Sequence, residues 1–391
     1  MFRFLSYQSP TALMASTLLV LSVGSVSAFE ETDSSIARAL QQAGENRTEI
    51  QQALDEVPEA QAKGMRFIVS NMPEADLKTL SAEFLLENCE YAYRAKSESA
   101  WSDQLPEEVF FNNLLPYANI NERRDRWRVD FYNRFKSWVA DAKSPSEAAA
   151  ILNQKVFPEL GVKYSTKRKK ADQSPYETME TGLASCTGLS VLLVDACRAV
   201  GIPARIVGTP LWSDRSGNHT WVEIWDGDWH FTGACEPTGN ELDRGWFTGR
   251  ASTAQRDHRL HAIYAVTFKN NGQTFPMVWD RDNTSVFAVN VTDRYTAKKQ
   301  EVPEGHTTVR FRYISGESKE RQMAKIRVSN EEGMTLFEGE TNDERFDAND
   351  HLTATLPMGQ EYSVTAKVGS LESTQKFRVK EEQQLITIEA K

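Results

Sequence analysis

The sequence predicts an α+β protein, and three observations carry that prediction. Apolar residues recur at three- to four-residue spacing through roughly residues 33–140. From 174 to 265 a helical pattern gives way to short β-rich runs, among them "ARIVGTP", "HTWVEIW" and "DWHFTG". After about residue 305 only short alternating segments remain, separated by Gly, Asn, Asp and Glu turns.

The chain of 391 residues is too long for one ordinary domain. Residues 1–28 read as a cleaved export signal. Arg3 precedes the apolar run "TALMASTLLVLSVG", and Val26-Ser27-Ala28 forms a small-residue cleavage site. The run is too short and serine-broken to span a bilayer, so a periplasmic or secreted protein without stable membrane insertion is expected. A net charge of −10 argues against nucleic-acid binding. The basic cluster "KRKK" at 167–170 reads as a solvated loop. Oligomeric state has no signature.

Residues 29–143 form the helical N-terminal region, and 144–300 the core. The core opens on a clear helix start: Ser144 as N-cap, Pro145 at the first helical position and Glu147 to complete a capping box. Residues 301–391 carry seven alternating segments from "TTVRFRYIS" to "QLITIEA", the pattern of an all-β, immunoglobulin-like sandwich. With no catalytic grouping evident there, it reads as a binding or packing module.

Four cysteines, Cys89, Cys186, Cys197 and Cys235, are too few and too scattered for a disulfide framework. They show no zinc spacing, and neither metal nor cofactor is expected. Leu189, Leu192, Leu193, Ala196, Cys197 and Val200 make one apolar stripe, so a helix runs from about 186 to 200 and stops before Gly201 and Pro203. Cys197 belongs to its core face. Cys186 sits in its first turn, where the dipole and free N–H groups favour a thiolate and can hold an oxyanion.

A thiol nucleophile needs a base, and His219 begins the strand "HTWVEIW". Asp226-Gly227 predicts a two-residue hairpin turn. That register puts Thr232 and Glu236 on the side of His219, so Glu236 can orient the imidazole. A three-residue loop would put Gly233 and Cys235 there instead. Gln173, Trp212 and Asn218 are candidates to line the site; a packing or loop role is the more ordinary reading of each. Cys235 reads as a buried thiol, with a redox partner for Cys186 as the alternative. His230, His258 and His261 show no acidic or cysteine partner at ligand spacing.

The run from Cys186-Thr187-Gly188-Leu189 to Gly201-Ile202-Pro203-Ala204-Arg205, followed by Asn218-His219-Thr220-Trp221, resembles the transglutaminase-like superfamily over roughly residues 145–265. The resemblance implies a papain-like fold with a Cys-His-Asp triad acting on amide bonds, Cys186 and His219 matching the first two members. Gln173 is an oxyanion donor only by resemblance to papain-like enzymes. Where the family carries Asp-Pro, this chain has Gly233, and Glu236-Pro237 follows. Either Glu236 replaces the aspartate or the triad is incomplete. The expected function is an exported cysteine hydrolase or acyltransferase acting on peptides, cell-wall peptides or glycopeptides. The alternative is a catalytically degenerate scaffold that binds cell-surface proteins or polymers.

Overall fold

The computed structural model describes residues 34–297 and 302–390; the export signal expected at 1–28 lies outside the described residues. The chain divides into two compact units, one ending at Glu83 and one beginning at Phe84. In the first, helices Arg47–Glu56 and Ala62–Asn71 bury Ile50, Ala53, Met65, Ile68 and Val69. Among the described residues no helix is long and apolar enough to cross a membrane.

The second unit holds the site. The helix Pro145–Glu159 starts as its sequence predicts, with Ser144 accepting from the Glu147 N–H at 3.2 Å. The Glu147 carboxylate, however, takes the N–H of Lys143, so the box is half formed. A complete capping box stands at Ser174 and Glu177 instead, starting the helix Pro175–Thr181. Two short strands, β1 (Lys163–Tyr164) and β2 (Leu183–Ala184), pair in parallel beside it.

The helix Cys186–Ala199 ends one residue short of the expected 200. Every residue after Cys186 in it is buried, polar Ser190 and Asp195 included. A single stripe therefore understates its burial. It is packed between helices and the five-stranded sheet β5-β4-β3-β6-β7. That sheet comprises β3 (Ala204–Thr209), β4 (His219–Trp225), β5 (Trp229–Thr232), β6 (Tyr264–Thr267) and β7 (Phe287–Asn290). Within it β4 lies antiparallel to β3, with His219 opposite Thr209. Both faces of β4 are covered, so the alternating strand read from the sequence is buried on each side.

The hairpin between β4 and β5 departs from the two-residue expectation. Trp225 pairs with Trp229, leaving a three-residue loop with Gly227 at φ +77°. Thr232 pairs with Val222 and so faces away from His219.

Strands β8 (His306–Ile314), β9 (Arg321–Gln322), β10 (Lys325–Ser329), β11 (Thr335–Glu340), β12 (Leu352–Pro357), β13 (Glu361–Val368), β14 (Leu371–Arg378) and β15 (Gln384–Glu389) form two sheets. One has the order β11-β10-β13-β14, the other β12-β8-β15 with β9 paired to β8. Most pairings are antiparallel, but β15 runs parallel to β8. Val309, Phe311, Val328, Val364 and Ile388 share one apolar core.

Candidate active site

Cys186 stands at the N-terminus of its helix because Ser185 caps it. The Ser185 hydroxyl accepts from the Gly188 N–H at 3.1 Å and donates to the Ala171 carbonyl at 2.6 Å. The next residue, Thr187, joins its hydroxyl to that of Thr220 at 3.0 Å, tying the cysteine helix to the histidine strand. Cys186 keeps partial solvent contact, whereas His219 is buried, with 1% of its surface exposed.

Aromatic rings wall the imidazole. Trp246 and Phe247 lie 4.7 and 4.9 Å from it, Trp221 and Trp212 at 5.9 and 6.2 Å. Behind them Trp221 donates to Tyr295, whose hydroxyl donates to the buried Glu223, itself paired with Arg205. This network fixes the wall, which it joins through the Trp221 ring stacked on His219.

The acid beside His219 is Asp347, from the segment between β11 and β12. Its Oδ2 lies 3.5 Å from Nδ1 of His219. One donor atom each from Cys186, His219 and Asp347 lie within 4.8 Å of one another. Thiolate, imidazole and carboxylate are also a donor set suited to a divalent cation. Neither ring nitrogen has a hydrogen bond of good geometry; catalytic contacts commonly tighten only when substrate is bound. Burial works against charge on His219, but the carboxylate of Asp347 and the neighbouring Cys186 outweigh it and hold the imidazole well above its usual range. Burial likewise opposes charge on Asp347; His219 and the donors of Asn349 overcome it and keep the carboxyl below its usual range.

Glu236, expected to orient the imidazole, makes a different contact. Its Oε2 accepts from the Trp246 indole N–H at 3.0 Å. Burial, together with the nearby Asp347, pushes its carboxyl up to about 7 despite the opposing pull of His219. A tight turn carries it there: the Glu236 N–H donates to the Gly233 carbonyl, and Cys235 adopts φ +65°. Asn153 pins this turn, donating to Thr232 and Gly233 and accepting from the Cys235 N–H.

Of the three expected lining residues, Trp212 and Asn218 lie beside His219, and Gln173 braces the approach to the cysteine helix. Gln173 is buried and its amide donates to Glu177, Thr181 and Leu183, which commits its N–H groups to bracing the approach to the cysteine helix rather than to an oxyanion. Trp212 is buried, stacked with His219 and parallel to Trp221. Asn218 is half-buried in a small cleft with Thr209, Phe275 and Trp279, and its carbonyl accepts from Asn349 at 3.0 Å. His230 does have an acidic partner, Asp243 at 2.7 Å. The four cysteines are unbridged; burial pushes the thiols of Cys89 and Cys235 up to about 12 and about 11. The one sequence signal for Asp347 is the polar turn "DAND", whose Asp and Asn two residues apart make an Asx turn.

Residues 133–248 match the family model of the transglutaminase-like superfamily. No curated protein matches the chain. Among solved structures, the chain is similar to a candidate cysteine protease from Cytophaga hutchinsonii, at 16% identity over 28% of this chain and 38% of that one, with a TM-score of 0.25. It is also similar to the Bacillus anthracis TIE protein (16% identity, 35% and 27%, TM-score 0.19) and to red sea bream transglutaminase (8%, 72% and 65%, TM-score 0.29). The chain spans less than two thirds of each of these three.

Proposed function

We propose that this chain is an exported cysteine hydrolase or acyltransferase acting on amide bonds of peptides or glycopeptides. In this reading the core is papain-like and the β domain an immunoglobulin-like sandwich. The observation that carries it is the convergence of Cys186, His219 and Asp347, drawn from three separate segments, within 4.8 Å.

The chemistry follows from the donors. His219 takes the thiol proton of Cys186, and the sulfur attacks the amide carbonyl carbon. The oxyanion that forms faces the N–H groups at the start of the cysteine helix. His219 then protonates the leaving amine, the C–N bond breaks and a thioester remains. Water, or an acceptor amine, loses a proton to His219 as it attacks the thioester, releasing the product and restoring the thiol. Asp347 holds the imidazole and balances its positive charge throughout. The scaffold alternative drew on Gly233 standing where an acid was expected; Asp347 supplies an acid from elsewhere in the chain.

The test is incubation with mixed peptides and cell-wall fragments, reading released amine or ammonia. Wild type should release it and Cys186→Ala should not. No release from any substrate, with Cys186 alkylated no faster than Cys235, would leave the scaffold reading.

A further inference from the structure

We infer that the C-terminal β domain is a working part of the active site, and that Asn349 and Tyr164 are the positioning residues that set Asp347 against His219. The inference rests on the triad reading above.

Asp347 lies outside the strands, so something other than a ladder must fix it. Arg321 of β9 does so from within the domain: its guanidinium donates to the carbonyls of Phe346 and Asp347 at 2.6 and 2.9 Å. Asn349 then orients the carboxylate. Its backbone and side-chain N–H groups reach Oδ1 of Asp347 at 2.8 and 3.2 Å, which leaves Oδ2 for the imidazole. The same side-chain nitrogen donates to the carbonyl of Asn218, immediately before His219. One amide thus holds the acid and the histidine strand together.

The core is shaped to receive this clasp. Gly217 sits at φ +138°, and a Cβ there would lie 2.5 Å from Oδ1 of Asn349. The Ala348 N–H donates to the Tyr164 hydroxyl at 2.9 Å, on the strand just after the helix Pro145–Glu159. Arg310 of β8 reaches Asp214 at 2.8 Å and Ser216 at 3.1 Å, with both charged side chains largely buried. Burying charge is costly unless geometry is fixed. These directional contacts all converge on the segments that flank Cys186 and His219.

The experiment follows alkylation of Cys186 by iodoacetamide in the full chain, mapped by mass, at pH 6 and pH 9. At pH 9 thiols ionise readily, whereas at pH 6 reaction requires His219 to hold the proton with Asp347 beside it. Asp347→Asn should lower the pH 6 to pH 9 rate ratio about tenfold or more. Asn349→Ala and Tyr164→Phe should each lower it at least about threefold while remaining folded by circular dichroism. Arg327→Ala, which removes an exposed ion pair with Glu338 in the same domain, should leave it unchanged. Should Asn349→Ala not fold, Tyr164→Phe decides by the same criterion. An unchanged ratio in the folded variants, with Asp347→Asn affected, overturns the positioning role. An unchanged ratio in Asp347→Asn overturns the triad reading and the inference with it.

Discussion

Gly233 and Glu236 share one space: a Cβ built on Gly233 would lie 2.2 Å from Oε2 of Glu236 and 3.0 Å from its Cβ. The turn at 233–236 folds the glutamate back over Gly233, and a side chain at 233 would displace it. Gly233→Asp should therefore not rebuild a better triad. We expect it to lose thermal stability, read as a fall in Tm, without raising turnover.

Glu236→Gln should separate stability from catalysis. The folded chain holds this carboxyl at about 7, above its ordinary 4.5, so it binds the proton more tightly folded than unfolded. Its contribution is complete below about pH 4.5 and fades as pH rises through about 7. Above that, the buried carboxylate costs up to about 3 kcal/mol. Glu236→Gln should thus raise Tm at pH 8.5 and leave it near wild type at pH 4.5, with turnover changed by less than about tenfold. Equal Tm differences at both pH values would show that the carboxyl is not held high.

Asp347→Asn should keep the fold and lower kcat by about 10–10³-fold. A serine-protease triad loses about 10⁴ without its carboxylate, and papain-type sites work with a neutral amide in that place. Cys186→Ala should abolish turnover. Steady-state kinetics on any substrate found for the wild type decides this, and activity of Asp347→Asn equal to wild type would reduce the triad to a Cys186–His219 pair.

Gln173→Ala should behave as a structural change. Its amide N–H groups serve Glu177, Thr181 and Leu183, and leaving buried acceptors unpaired costs about 1–3 kcal/mol. Loss of an oxyanion donor lowers kcat by about 10²–10³. We expect lower denaturant resistance with kcat within about threefold of wild type; a fall of two orders of magnitude in kcat at full stability would restore the oxyanion role.

Arg321→Lys tests the cradle under Asp347. A guanidinium spreads donors over several carbonyls in one plane, which an ammonium cannot. The variant keeps the charge yet should lower kcat about tenfold, with KM little changed because Asp347 acts on His219 rather than on substrate.

Local signals made much of this molecule legible. Ser144-Pro145, the stripe from Leu189 to Val200, and Gly201 before Pro203 each act within a few residues, so the cysteine helix and the start of the histidine strand could be read directly. Glu236 is the acid that local pattern offers, because it stands just past the strand that follows His219. Asp347 comes instead from the turn between β11 and β12, and only tertiary docking brings it to His219. The hairpin loop went astray by one residue because Asp-Gly fits both two- and three-residue turns, and that slip reversed the facing of Thr232. Trp212 and Gln173 are chemically rich side chains, and both are buried as wall and brace.

The parallel pairing of β15 with β8 sets a schedule for the proposed enzyme. During synthesis the ribosome delivers Cys186 and His219 well before Asp347. The sheet that flanks the Asp347 turn closes only after β15 has emerged and found β8. In the proposed enzyme the acid is thus seated against the base only after nucleophile and base have both been made.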